Sequence, residues 1–204
     1  MLGLPKATEL NKALPKKAIY AKFNMNTAAK DKFDTDISRI AIVGEISPAT
    51  TSIAAGTEVS SVFLLQVSLK RKDYDPRTIA QISSLIDQNM LLILDYDGQR
   101  KLAIFHRKLF ETQWMLQEQA AVTLSGLSLG AVWEDLIRQV GGITVADGNT
   151  LDEQIAADER RATLQKEIDK LEKLARAEKQ PKKKFELVQK IRNLQTTEEI
   201  ECRI

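Results

Sequence analysis

Residues 90–106 read Met-Leu-Leu-Ile-Leu-Asp-Tyr-Asp-Gly-Gln-Arg-Lys-Leu-Ala-Ile-Phe-His, and they contain the clearest strand and turn signals of the chain. Its first part, Met90 to Tyr96, is apolar on both faces of an extended chain, which predicts a central strand. Asp97-Gly98 is a dipeptide favoured in two-residue hairpin turns, and it returns the chain into a second strand, Lys101 to His106. We therefore expect antiparallel strands at the centre of the molecule.

The residues before this hairpin predict two more strands and a helix. Ile37 to Ile46 and Glu58 to Lys70 place apolar residues on alternate positions, as strands do. Between them, Ser47 to Thr57 is rich in small and polar residues and predicts a long surface loop. Asp75-Pro76 is a helix start, with Asp as N-cap and Pro in the first turn.

The residues after the hairpin predict short strands and one clear helix. Phe110 to Trp114 and Ala121 to Leu124 are strand-like, and Ser128 is the expected N-cap of an amphipathic helix that Gly141-Gly142 ends. Its apolar residues follow helical spacing: Leu129, Val132, Trp133, Leu136, Ile137 and Val140. The element order predicts an α+β fold, a mainly antiparallel sheet with helices on one face.

The last quarter of the chain predicts a helical arm. Thr150 and Glu153 have capping-box spacing, and Gln180-Pro181 interrupts the helix that they begin. Apolar residues on both sides of the interruption are spaced as in a coiled coil: Leu164, Ile168, Leu171, Ala175, Leu187, Ile191 and Leu194. The second helix either folds back on the first or the arm pairs with another chain, and the pattern does not distinguish these alternatives.

Charge and composition divide the chain in the same way. We predict an N-terminal helical segment (1–36) containing a short basic helix around residues 14–23, a core domain (37–148) and the arm (149–204). Their net charges are about +3, −2 and +1, counted over residues 1–36, 37–150 and 151–204. The formal total of +2 is therefore a cancellation, and nucleic acid is expected only at a basic end, if at all.

Several function classes are disfavoured by residue counts and missing motifs. A single cysteine, Cys202, and a single histidine, His106, do not suffice for an intramolecular disulfide or a multi-histidine zinc site. His106 is expected at the edge of the core, and Cys202 has no predicted role. No nucleotide-loop, hydrolase or zincin motif occurs, so we expect no cofactor and no metal. Neither a membrane span nor a secretion signal is visible, which predicts a cytoplasmic protein.

Two basic clusters are the candidate nucleic-acid contacts. Lys182, Lys183 and Lys184 fall in the first turn of the last helix, where cations oppose the helix dipole. Such an unfavourable placement is consistent with binding a phosphate backbone, although a solvated hairpin tip is the more common reason for a run of lysines. Lys16 and Lys17 of the N-terminal basic helix form the second cluster.

A divalent-metal nuclease is the enzymatic alternative. Such enzymes often place a carboxylate and a lysine two positions apart on one strand face. Here that position is Ser68, two residues before Lys70, so the acid would have to come from Glu45 or Asp95 on other strands. We treat Glu45, Asp95 and Lys70 as the catalytic candidates of this alternative only.

Four segments together carry a family resemblance: residues 14–23, 42–53, 62–70 and the Asp97-Gly98 turn. In this order they resemble an uncharacterised bacterial family, a domain of unknown function. The resemblance implies genes that neighbour superfamily-2 helicases and DNA methyltransferases, as in restriction or antiviral defence systems, and it carries over no catalytic residues. Acidic residues that relatives often bear on this strand are replaced here by Gln66 and Ser68, which argues against nuclease activity.

These observations favour a non-enzymatic accessory subunit of a bacterial DNA-processing or antiviral defence system. It would dock on a helicase or DNA methyltransferase, with possible DNA contact and self-association through the arm. A metal-dependent nuclease and a small nucleic-acid-binding module remain the alternatives.

Overall fold

The computed structural model describes the backbone of residues 2–201 and the side chains of residues 2–196. Cys202 lies outside the described residues. The chain divides into two compact units, Met1–Ile143 and Thr144–Ile204. None of the described helices is both long enough and apolar enough to span a bilayer.

The first unit is built around one sheet. In chain order it contains a 3₁₀ turn (Lys6–Thr8), β1 (Glu9–Leu14), α1 (Lys16–Lys22), α2 (Thr27–Asp36), β2 (Ile37–Ile46), α3 (Pro48–Thr51), β3 (Val62–Leu69), α4 (Pro76–Ile82), β4 (Asn89–Tyr96), β5 (Gln99–His106), β6 (Lys108–Glu111), β7 (Met115–Leu116), a second 3₁₀ turn (Gln117–Gln119) and α5 (Leu129–Gly141).

The seven strands form a mainly antiparallel sheet, which confirms the predicted α+β class. Their order is β1-β2-β3-β4-β5-β6, and β7 pairs with β5 beside β6. The exception is the pair β3–β4, which is parallel because the chain crosses over through α4 between them. The carboxyl ends of these two inner strands therefore meet at the same edge of the sheet.

The β4–β5 hairpin forms as its sequence predicts. Asp97 and Gly98 both have positive φ, +46° and +72°, as a tight hairpin turn requires of its two central residues. The turn sets a register in which Asp95 lies opposite Arg100, and Leu94 lies opposite Lys101. The Asp97-Gly98 turn therefore determines which residues of the two strands lie opposite each other.

One face of the sheet packs on α1, α2 and α4. Ile40, Val67 and Leu94 lie side by side on neighbouring strands of this face. The helices contribute Ile19, Phe33, Ile79 and Ile82 to the same buried cluster. Asp75 caps α4 as predicted, because its carboxylate accepts from the backbone N–H of Arg77 at 2.9 Å.

The opposite face packs on α5. The predicted helix is confirmed, with Ser128 as N-cap and Gly142 in the left-handed conformation at its end. A Cβ at Gly141 would lie 2.9 Å from Cδ1 of Phe110, so this helix approaches β6 closely. Helices consequently cover both faces, where the sequence predicted one. The strand residues Met90 to Leu94 are all buried, because each face of the sheet is covered by its own layer of helices.

Three local predictions are wrong. Residues 9–14 form the edge strand β1 inside the segment 1–36 that was predicted to be helical, whereas the predicted basic helix is present as α1. The expected loop at 47–57 contains α3, whose first turn is closed by hydrogen bonds between Ser47 and Thr50. Residues 121–124 form no strand. Short elements of this kind depend on pairing or capping rather than on apolar periodicity.

The second unit is a helical hairpin of α6 (Leu151–Ala177) and α7 (Pro181–Glu201). The Thr150–Glu153 capping box is present, and α7 begins at the predicted interruption. The helices fold back on each other around buried Ile168, Ala175 and Ile191, and the half-buried residues of this seam are Leu171, Leu187 and Leu194. The coiled-coil spacing is therefore satisfied within one chain; pairing between chains stays a prediction.

Candidate functional site

The catalytic candidates of the nuclease alternative lie at opposite ends of β3. Glu45 is opposite Phe63, whereas Asp95 is opposite Ser68. Five residues of strand separate these positions, which corresponds to about 16 Å. Lys70 follows the end of β3 and is exposed. The sheet therefore does not bring Glu45 to the other two residues.

Asp95 is held by an ion pair. The Arg100 guanidinium donates to both of its carboxylate oxygens, at 2.7 and 3.2 Å, and Arg100 is only 4% exposed. The side-chain amide of Gln66 also donates to this carboxylate. The bidentate pair joins β4 to β5, and the hydrogen bond from Gln66 joins this hairpin to β3, which favours a structural role for Asp95.

A polar cluster that the sequence did not predict lies at the end of α2. Asp36 is completely buried and accepts from Nε of Arg71 at 2.5 Å and from the backbone N–H of Asp75 at 3.1 Å. Its carbonyl oxygen accepts from the backbone N–H of Lys70 at 2.8 Å. Asp36 therefore fixes the turn that carries the basic triplet Lys70-Arg71-Lys72.

Aromatic rings and lysines pack beside this turn. Tyr74 and Tyr96 contact Trp114 edge to face, and Nζ of Lys101 lies 5.3 Å from the centre of the Trp114 ring. Lys72 lies 5.6 Å from the same ring. Burial is the main cause that raises the pKa of Tyr74, whose hydroxyl donates to Glu111. The cationic partners of these rings are the protein's own lysines.

The two lysines of the N-terminal basic cluster, Lys16 and Lys17, have different surroundings. Nζ of Lys16 donates to Asp34 at 2.5 Å and to the carbonyl of Ile37 at 2.6 Å, whereas Lys17 is exposed. The hydrogen bonds from Lys16 and then Tyr20 lower the pKa of Asp34. Burial and the bond to Asp34 raise the pKa of Tyr20 to about 12. Lys16 therefore fastens α1 to α2, which leaves Lys17 as the accessible member of this predicted pair.

The second basic cluster lies at the tip of the hairpin. Lys182, Lys183 and Lys184 are all exposed in the first turn of α7. Lys183 lines an open groove of about 440 Å³ between α6 and α7; Lys182 and Lys184 do not line it. The two predicted basic clusters therefore belong to different units of the chain.

Two apolar side chains of the hairpin are left in solvent. Leu174 on α6 is 50% exposed, and Phe185 on α7 is 62% exposed. Both lie outside the seam of Ile168, Ala175 and Ile191. Contiguous apolar surface is typical of protein contact sites, and Leu174 contributes to such a surface together with Ala177 and Leu187 of the groove. We call Leu174 and Phe185 the exposed flank of the hairpin. The coiled-coil spacing predicted the seam, but it does not distinguish this flank from ordinary solvent-exposed positions.

A clustered donor set for a metal is not found among the described side chains: no three His, Cys, Asp or Glu residues lie together in a suitable arrangement. His106 is half-buried beside the β5–β6 turn, in register with Lys108. Its partial burial at the end of β5 agrees with the expected position at the edge of the core.

Comparison with known proteins identifies the family. The model of the family described as Domain of unknown function (DUF4391) matches residues 2–197. The chain belongs to this family. The DUF4391 match extends through α6 and most of α7, so the helical hairpin is part of the family's domain. No curated protein and no solved structure matches the chain. The predicted resemblance to a family of unknown function is confirmed, and its helicase and methyltransferase neighbours stay a prediction.

Proposed function

We propose that this protein is a non-catalytic accessory subunit that binds another protein through its α6–α7 hairpin. The observation that carries the proposal is the exposed flank of the hairpin, where Leu174 borders an open groove outside a closed seam. A hairpin that satisfies its own core does not need a partner to fold, so an apolar flank left beside it is available for binding.

The ion pairs within the sheet unit also support the proposal. Two of its ion pairs each include a buried side chain: Asp95 with Arg100, and Asp36 with Arg71. Groups that are fully committed to such pairs are poorly placed to hold a reacting substrate. We assign the sheet unit a scaffold role for this reason.

The family resemblance suggests the partner. A superfamily-2 helicase or a DNA methyltransferase of a restriction or antiviral defence system is the enzyme class on which we propose that the subunit docks. DNA contact through Lys182, Lys183 and Lys184 belongs to the same proposal, because these exposed lysines are accessible to a phosphate backbone.

Affinity capture from the native host with mass spectrometry tests the docking. We expect the wild type to recover a helicase or methyltransferase and Leu174→Glu to lose it, because a carboxylate on this flank opposes apolar contact. Leu127→Glu is the matched control, since Leu127 is 96% exposed and belongs to the sheet unit. Equal recovery by wild type and Leu174→Glu, or recovery of no partner by the wild type, contradicts the proposal.

A cleavage assay tests the absence of catalysis. We expect no cutting of DNA in added magnesium or manganese. Cutting that depends on the metal and disappears in Lys70→Ala would establish the nuclease alternative. For the DNA contact, we expect binding that weakens with salt and is reduced in the triple variant Lys182→Ala/Lys183→Ala/Lys184→Ala.

A further inference from the structure

The groove of the hairpin has an apolar floor. Leu174 and Ala177 contribute to it from α6, and Leu187 contributes from α7. Leu187 also packs into the seam, so the floor continues from the interior of the hairpin to its surface. An occupant must therefore present apolar side chains to this strip.

The rim of the groove carries two lysines and two glutamates, and the surface beside it adds an excess of lysines. Lys183 and Lys190 border it on α7, together with Glu186, and Glu178 borders it at the end of α6. A second shallow depression shares Leu174 and is lined by Lys166, Lys170, Lys173 and Asp169. Neither Lys183 nor Lys190 forms an ion pair with another side chain in residues 2–196. Their ammonium groups are thus available to carboxylates of a partner.

A second copy of this chain does not suit the groove. Residues 166–190 contain nine Lys or Arg against five Asp or Glu, so two such surfaces repel each other. Nucleic acid is also a poor match, because a phosphate backbone gains nothing from the apolar floor. Moreover, Lys182 and Lys184 do not line the groove.

We infer that the groove receives an acidic amphipathic helix of the partner protein. Apolar residues spaced i, i+3 or i+4 and i+7 on that helix would cover Leu174, Ala177 and Leu187, as helix-in-groove recognition requires. Its carboxylates would lie near Lys183 and Lys190 on one side and near Lys170 and Lys173 on the other. This inference rests on the proposed function and specifies the chemistry of the partner segment.

Two labelled peptides test the inference by fluorescence anisotropy. Both carry leucines at helical spacing over about 18 residues, or about five turns, and they differ in having Glu or Lys at the remaining positions. We expect the full chain to bind the acidic peptide about tenfold more tightly than the basic one, because two ion pairs form at a partly desolvated rim. Leu174→Ser should weaken this binding as well, because it removes part of the apolar floor.

The charge variants come as a matched pair. Lys183→Glu/Lys190→Glu should reduce affinity for the acidic peptide about tenfold, whereas Lys182→Glu/Lys184→Glu should reduce it by about threefold or less. Both double variants change the net charge equally, but only the first changes groove residues. Circular dichroism at 222 nm checks that each variant keeps its helices.

Two results would overturn the inference: equal binding of the two peptides, or equal effects of the two double variants. If host capture still depends on Leu174 while the acidic peptide fails, the proposed docking stands and the acidic helix is wrong. If the acidic peptide binds as expected but host capture ignores Leu174, the groove chemistry stands and the docking function is wrong.

Discussion

In the sheet unit, Asp36 and Asp95 each bind an arginine of the same unit, whereas Lys183 and Lys190 of the helical hairpin have no carboxylate partner among the described side chains. The sheet unit has an extensive buried core and leaves Leu10, Phe105, Leu116 and Leu127 exposed, while the hairpin has one narrow seam. On our proposal, ion pairs within the protein mark the scaffold, and lysines without a carboxylate partner beside exposed apolar residues mark the contact site. Variants in each unit test this distinction.

The largest effect is expected in the core of the sheet. Leu92 is fully buried in the inner strand β4, so Leu92→Ala removes apolar contacts and leaves a cavity. We expect a loss of about 4 kcal/mol in the free energy of unfolding of the sheet unit. Urea denaturation followed by tryptophan fluorescence measures it, because Trp114 and Trp133 both belong to this unit. A loss below about 1 kcal/mol would contradict tight packing around Leu92, because the cavity would then cost almost no stability.

A smaller loss is expected when the Asp95–Arg100 pair is broken on one side. Asp95→Ala leaves the 4% exposed guanidinium without its counter-charge and should cost about 3 kcal/mol. The double variant Asp95→Leu/Arg100→Met should lie within about 1 kcal/mol of the wild type, because both charges are absent. Should the double variant be as unstable as the single one, the pair is needed for more than charge compensation.

A core substitution in the hairpin should cost less free energy of unfolding and should leave the stability of the sheet unit unchanged. Ile168 is buried in the seam, and Ile168→Ala should cost about 2 kcal/mol in a transition seen as helical signal at 222 nm. The fluorescence transition of the sheet unit should not move, since the two units fold around different clusters. Hydrogen exchange of α6 and α7 gives the local measurement. A shift of both transitions together would contradict independent cores.

The smallest effect concerns the contact between α1 and α2. Lys16 and Tyr20 lower the pKa of Asp34, so its folded pKa lies below the unfolded value and its ionised form contributes stability above that unfolded value. Asp34→Asn should therefore cost less than about 1 kcal/mol at pH 7, because the pair is partly exposed to solvent. The difference from wild type should shrink as the pH falls through the folded pKa. Urea midpoints at several pH values test this sign, and a difference that grows in acid would contradict it.

Local signals predicted those elements whose cause lies within a few residues. The Asp97-Gly98 turn, the Ser128 and Asp75 caps and the Thr150–Glu153 capping box all form as expected. Strand β1 was missed because Glu9 to Leu14 is largely exposed and becomes a strand only by pairing with β2. An edge strand of this kind has no apolar periodicity to detect.

The polar clusters were harder to predict because their members are distant in sequence. Asp36 meets Arg71 and the backbone of Asp75 only when the turn after β3 returns to the end of α2. Glu45 and Asp95 looked compatible as strand carboxylates, but the antiparallel register of β2 with β3 sends them to opposite ends. The exposure of Leu174 likewise follows from the rotation of α6 about its seam, since neighbouring Ala175 is buried.

The order of the two units along the chain has a consequence during translation. The ribosome completes Met1–Ile143 first, and the hairpin follows over several seconds at about 5–20 residues per second. Both sides of the groove exist only after α7 has been synthesised and has folded back on α6. A partner that binds this groove would therefore capture only chains whose sheet unit has already had time to fold, so the late hairpin would act as a checkpoint for assembly.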